Sequence, residues 1–366
     1  MQMFQAVFAG LPDPRDDNAQ HDLTELLFIA LAASLGGAQT CSEMAEFGRA
    51  KEALLRQFLV LKHGIPSHDT FSRVFRLLDP QAFATTFTRF MAAFGEAARI
   101  EAPMGVVALD GKSLRRGYEA GRADMPPLLV SAWGTQTRMV LAQQAAPDGN
   151  EVEATLALLG LLSLEGCIVT ADALHCHRRM AQAVRSAGAD YALVVKGSQP
   201  GLLRDARAAL DAAGADAAVA ETRDAAHGRQ ERRLATVALA PGMAERHRFP
   251  SLLAVGRIEA WRTAGGATRR RVRHVLLSRP LTPAELLAVV REHWSVENRL
   301  HCPLDVVLDE DLVRARKDHA PQNLALLRRL TLNVLRAHPG KQSLNLKRQR
   351  AGWDESFLLG LFTHMR

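Results

Sequence analysis

Apolar residues recur at helical spacing through the first hundred positions and in short continuous runs after them. Leu23, Leu26, Leu27, Ala30 and Leu31 form one helical stripe, which Gly36-Gly37 ends. Ser42 to Leu61 reads as a second amphipathic stretch. His63-Gly64-Ile65-Pro66 is a turn, after which Ser67 or Asp69 can cap a helix carrying Phe71, Val74, Phe75 and Leu78. Helix, Gly-containing turn and helix are compatible with a DNA-binding helix-turn-helix that turns Ser72, Arg73 and Arg76 outward, although a plain helical bundle fits the pattern better. Residues 1–100 are therefore expected to form a helical N-terminal domain, with DNA binding left open.

From Met104 the pattern changes. Met104 to Asp110, Pro127 to Trp133 and Arg138 to Ala145 read as three strands. A helix near Glu151 to Leu162, a strand Gly166 to Asp172, a helix near His175 to Ala187 and a strand Asp190 to Lys196 follow. Three strands and then alternating helices match the order of a ribonuclease-H-like α/β fold, in which the first and fourth strands are neighbours. The segment from Gly201 to about Pro280 alternates strand-like runs with turns, namely Leu234 to Leu239, Leu252 to Ala260 and Val272 to Leu277. It is too long for a strand-to-helix connection, so a β-rich insertion is expected at about 201–280. Thr282-Pro283-Ala284-Glu285 restarts a helix with proline in its first turn. Residues 101–366 thus read as one RNase-H-like domain carrying an inserted subdomain.

Three acids stand out against this pattern. Asp110 closes Gly105-Val106-Val107-Ala108-Leu109 ahead of Gly111-Lys112-Ser113, and Asp172 closes Gly166-Cys167-Ile168-Val169-Thr170-Ala171. If the two strands are parallel neighbours, both carboxylates leave the same sheet edge, where α/β proteins place their ligands. The bland alternative is that each aspartate only caps the turn or helix after it. Glu297 sits on the later helix, in His293-Trp294-Ser295-Val296-Glu297-Asn298-Arg299-Leu300-His301. His293, Glu297 and His301 share one helical face and could ligate zinc or iron. Phosphate chemistry calls instead for hard oxygen ligands around magnesium or manganese, which leaves the histidines a supporting role.

Composition narrows the partners. The 366 residues are 48% hydrophobic and 23% charged, with a net charge of +7 and a pI near 9.6, which favours a polyanion. Arg262, Arg269, Arg270, Arg271 and Arg273 cluster in one short segment, and Arg336, Lys341, Lys347, Arg348 and Arg350 in another. Two basic clusters flanking an acidic site suit a phosphate backbone, and either is equally an ordinary solvated face. An aromatic content of 5% argues against a base-stacking single-strand binder. Cys41, Cys167, Cys176 and Cys302 show no C-x-x-C pair, so a reduced, cytoplasmic setting is the default. Neither a signal peptide nor an apolar stretch of membrane-spanning length is read in the sequence.

Five segments together resemble the H-repeat-associated, Rhs-linked DDE transposases of bacterial insertion sequences. They are Leu11 to Arg15, His63 to Phe71, Leu109-Asp110-Gly111-Lys112-Ser113-Leu114-Arg115, Val169 to Leu174, and His293 to Asp311 with Asn323 to Leu330. Lys196-Gly197-Ser198-Gln199 and His227-Gly228-Arg229-Gln230-Glu231-Arg232-Arg233 are similar to two further motifs of that family. The resemblance implies DNA cleavage and strand transfer by an RNase-H-like domain. Asp110, Asp172 and Glu297 would hold magnesium or manganese, as two ions about 4 Å apart. Double-stranded DNA is the implied partner and a homo-oligomer on DNA the implied assembly. Lys112, Lys196, Arg229, Arg233, Arg269, Arg270, Arg271 and Arg273 are the candidate DNA-binding residues. The chain departs from the family at Cys302-Pro303, where Pro303 is expected to break the helix after Glu297. Asp305 and Glu310 therefore stay open as alternatives for the third acid. A catalytically inactive DNA-binding relic or regulator and a stand-alone metal-dependent nuclease are the competing functions.

Overall fold

The computed structural model describes residues 2–97, 105–117, 126–214, 217–226 and 229–363. Among them nine strands form one mixed sheet. These are β1 (Val106–Ser113), β2 (Leu128–Gly134), β3 (Met139–Ala146), β4 (Ile168–Ala171), β5 (Asp190–Val194), β6 (Val219–Ala226), β7 (Arg229–Leu239), β8 (Ala254–Ala264) and β9 (Ala267–Leu277). Their order is β3-β2-β1-β4-β5-β9-β8-β7-β6. β1 and β4 are parallel neighbours and β2 is antiparallel to β1, which is the ribonuclease-H-like arrangement. Met104, expected to open β1, lies outside the described residues, as does the boundary expected near residue 100.

The β1 and β4 runs are continuous in apolar residues because helices cover both faces of the sheet. Side chains alternate between those faces. Val107, Leu109, Val169 and Ala171 pack with Leu158 of α7 (Glu151–Leu159) and Met180 of α8 (Arg178–Ser186). Val106 and Ile168 pack on the other face with Leu286 and Val289 of α11 (Pro283–Val296). Between α8 and α11 the chain forms α9 (Pro200–Ala212) and α10 (Met243–His247). Strands β6 to β9 lie within residues 201–280 and continue the central sheet, since β9 pairs antiparallel with β5.

The N-terminal helices are α1 (Gln2–Phe8), α2 (Leu23–Leu35), α3 (Cys41–Ala50), α4 (Glu52–Leu55), α5 (His68–Leu77) and α6 (Pro80–Ala97). The single stretch expected over Ser42 to Leu61 is two helices, because Lys51 leaves the helical basin at φ −113°, ψ 20°. Ser67 caps α5 as expected, accepting from the Thr70 amide at 3.3 Å. The chain ends in α12 (Cys302–Val306), α13 (Ala320–Ala337), α14 (Leu344–Trp353) and α15 (Glu355–Leu361). One core joins the two ends of the sequence: Phe4, Phe28, Phe75 and Phe90 are buried with Leu326, Leu327 and Leu330 of α13. No helix among the described residues is long and apolar enough to cross a membrane.

Candidate active site

The register of β1 on β4 sets Leu109 opposite Ala171, so the next residue of each strand, Asp110 and Asp172, leaves the pair at the same level. Asp110 does not end its strand. β1 runs on through Ser113 because Gly111, Lys112 and Ser113 pair with Val130, Leu129 and Leu128 of β2, which corrects the turn expected there. Asp172 makes no side-chain cap bond to the short helical turn Ala173–His175, so its carboxylate is not spent as a cap.

Helix α11 brings the other groups. Thr282 and Glu285 close a reciprocal capping box at its start, and the helix passes at Glu297–His301 into a π-turn, a local widening frequent at functional sites. His301 Nε2 lies 3.4 Å from Asp110 Oδ2, and its Nδ1 lies 3.6 Å from Glu297 Oε2. Donor atoms of Asp110, Glu297 and His301 all fall within 4.8 Å of one another. Facing Asp172, His293 Nε2 stands 3.6 Å from Oδ1 while its Nδ1 is 3.1 Å from the Thr170 hydroxyl. With Thr170 donating to Nδ1, the imidazole proton sits on Nε2 and points at Asp172.

The charges are unbalanced. Burial, helped by the negative charges of Asp172, Glu297 and Glu151, pushes Asp110 up to about 7. Asp172 is held below the ordinary aspartate range, chiefly by His293. Burial lowers His301 against the pull of Glu297. A neutral imidazole between two carboxylates leaves net negative charge in a partly buried site, and two carboxylate oxygens suit magnesium or manganese. The donor set therefore fits a hard divalent cation.

Several expectations need correction. Pro303 does not break the chain's helical path: it takes the second position of α12 after the π-turn, where its missing N–H costs little. The Arg299 carbonyl, four residues before Pro303, accepts from the Arg336 guanidinium instead. Asp305 and Glu310 are engaged by basic side chains. Lys112 Nζ reaches Asp305 at 2.8 Å, Asp311 at 2.9 Å and Glu310 at 3.6 Å, and Glu310 also pairs with the fully buried Arg329. Lys112 is thus buried and neutralised internally, tying β1 to α12 and to the segment after it rather than standing as a free phosphate ligand.

The C-terminal basic cluster is largely structural too. Lys347 donates to the Leu335 and His338 carbonyls at the end of α13, and Arg348 to those of Ser34, Gly37 and Ala38 at the end of α2. Helix C-termini leave these carbonyls unpaired.

Lys196 is exposed just beyond β5. Arg229 opens β7, but its side chain, like His227 and Gly228, lies outside the described residues. In register, Arg273 pairs Ile258, Arg271 pairs Ala260, Arg269 pairs Arg262, and Arg233 pairs Ala260 from the other side. Ile258 packs against α11, so alternation sets Arg233, Arg262, Arg269, Arg271 and Arg273 on the α11 face. Arg273 stacks on Trp294 at 4.8 Å and helps to hold Asp172 ionised. Arg270 is on the opposite face, over Trp261 and paired with Glu259.

Residues 101–334 match the family described as "Transposase DDE domain", and residues 5–91 the associated N-terminal family "DDE_Tnp_1-associated". The chain belongs to the DDE transposase family. It is similar to the "H repeat-associated putative transposase YhhI" of Escherichia coli, at 29% identity over 95% of this chain and 94% of that one. It is also similar to the "Uncharacterized protein in dhlA 3'region" of Xanthobacter autotrophicus, at 43% identity over 55% of this chain and 68% of the other. A solved "piggyBac transposase synaptic complex with hairpin DNA" aligns with 99% of this chain and 77% of its own, at 11% identity and a TM-score of 0.40.

Two residues at this edge escape a sequence reading. Glu151 opens α7, and its carboxylate Oε1 accepts from His175 Nε2 at 3.1 Å. An acid in the first turn of a helix is the ordinary response to the helix dipole, so nothing in the sequence distinguishes it.

Proposed function

We propose that the protein is an active DNA transposase that cuts double-stranded DNA at the ends of an insertion sequence and joins them to a target, working as a homo-oligomer on DNA. What supports this reading is that Asp110 and Asp172 leave neighbouring parallel strands at one level while Glu297 comes within reach of Asp110, beside a face rich in arginine. Asp110, Asp172 and Glu297 would hold magnesium or manganese, as a pair of ions. When bound, the metal supplies activation of a water or 3′-hydroxyl oxygen and stabilises the leaving oxygen. The chain's own part is positioning. Thr170 orients His293, His293 keeps Asp172 ionised, and His301 separates Asp110 from Glu297. Arg273, Arg271, Arg269 and Arg233 would carry the phosphate backbone past these acids, with Lys196, at the end of β5 beside β9, next to them.

The test is magnesium-dependent cleavage of DNA carrying the element's ends, followed by transfer of a pre-cut end into a second duplex. Asp110→Asn, Asp172→Asn and Glu297→Gln are each expected to reduce both steps to background with DNA binding retained. A cleavage rate that survives any of these changes removes that residue from the triad, and cleavage without strand transfer assigns the chain to the nucleases.

A further inference from the structure

Gly111 is the entry point. It lies inside a paired strand, where glycine weakens the ladder and marks a close approach. Its φ is not among the positive values of the described residues, so backbone conformation does not require it. Space does: a Cβ at Gly111 would come within 2.8 Å of the Glu151 carboxyl carbon and 2.9 Å of Oε1. The Glu151 carboxylate therefore rests on the backbone immediately after Asp110. It is held there by His175 Nε2 at 3.1 Å, and His175, three residues beyond Asp172, is 1% exposed with its Nδ1 unpartnered. Both groups that pin Glu151 thus adjoin Asp110 and Asp172 in the chain. A carboxylate whose only duty was to start α7 would need neither, since Asn150 already caps that helix, accepting from the Glu153 amide at 3.2 Å.

We propose that Glu151 is a fourth carboxylate of the cation site and that His175 is its positioning residue. The proposal rests on the transposase reading above, which assigns cations to Asp110, Asp172 and Glu297. It explains why β1 carries glycine at this point and why a buried histidine follows the second aspartate.

Binding of Mn2+ to the full chain without DNA, read by titration calorimetry and by the loss of free-Mn2+ paramagnetic resonance signal, tests it. Glu151→Gln keeps the shape and the His175 bond but removes the charge. It is expected to weaken Mn2+ binding about 10- to 100-fold with the melting temperature little changed. Gly111→Ala removes no ligand, yet should weaken binding similarly by displacing Glu151, and it carries the test should Glu151→Gln fail to fold. His175→Asn should also weaken binding, with His175→Gln restoring part of it. Parental Mn2+ affinity in a folded Glu151→Gln or Gly111→Ala protein overturns the proposal. If Asp110→Asn itself leaves Mn2+ binding intact, the cation-site reading fails. If Asp110→Asn abolishes binding and Glu151→Gln does not change it, only the role of Glu151 is lost.

Discussion

Burial and three neighbouring carboxylates raise Asp110 to about 7 in the folded chain, against 3.8 for a free aspartate. The folded state thus favours the protonated form. That contribution to stability is complete below about pH 4 and is lost as pH rises through 7. Without metal, Asp110 is ionised at pH 8 at the expense of the fold. Asp110→Asn is accordingly expected to stabilise the metal-free protein at pH 8 by on the order of 2–4 kcal/mol and to change little at pH 4. Urea unfolding at the two pH values measures it, and equal effects at both would remove the electrostatic explanation. Stability at the site and cation binding would then oppose one another, as expected where like charges are gathered for function.

Elements meet the site through polar side chains that stand in for missing backbone partners. Asn333, fully buried on α13, accepts from the Val140 amide at 2.9 Å and donates to the Val140 carbonyl at 2.8 Å. It closes the edge strand β3 as another strand would. Replacing Asn333 by Leu would strand both backbone groups in the core, at a cost of about 2–5 kcal/mol. The expected result is a lower urea midpoint with an unchanged slope; a drop of less than about 1 kcal/mol would mean that water or a shifted helix takes over. Arg336 acts similarly for the Arg299 carbonyl, and it also stacks on Trp133 at 4.6 Å. The π-turn bearing Glu297 and His301 is thereby fastened to α13.

At the scale of the molecule, the sheet divides the arginines of β7 to β9. Those on the α11 face lead towards Asp172, while Arg232 and Arg270 flank Trp261 on the other face at 5.1 and 5.7 Å and pair with Glu221 and Glu259. Replacing Arg269, Arg271 and Arg273 together by alanine is expected to weaken DNA binding and to flatten its salt dependence by about 0.9 in log–log slope for each phosphate that is no longer neutralised. The double change Arg232→Ala with Arg270→Ala should leave that slope unaltered. Equal slopes for the two variants would deny that the α11 face is the DNA track.

The sequence by itself determined what depends on near neighbours. Continuous apolar runs ending in Asp110 and Asp172 announced buried strands, and Thr282-Pro283-Ala284-Glu285, with proline in the first turn, announced the start of the helix that carries Glu297. Strand order was legible because three strands followed by alternating helices admit few sheet topologies. Tertiary structure decided the rest. Whether a lysine or arginine meets solvent or caps a distant helix depends on partners hundreds of residues away, as with Arg348 and Ser34 or Lys112 and Asp305. Only β9 docking on β5 aligned the arginines with the acidic edge. Pro303 read as a helix breaker because its local effect is disruptive, whereas a π-turn and a guanidinium from another helix accommodate it. Glu151 entered the sequence reading only as the start of an expected helix, and it took the fold to lay it on Gly111.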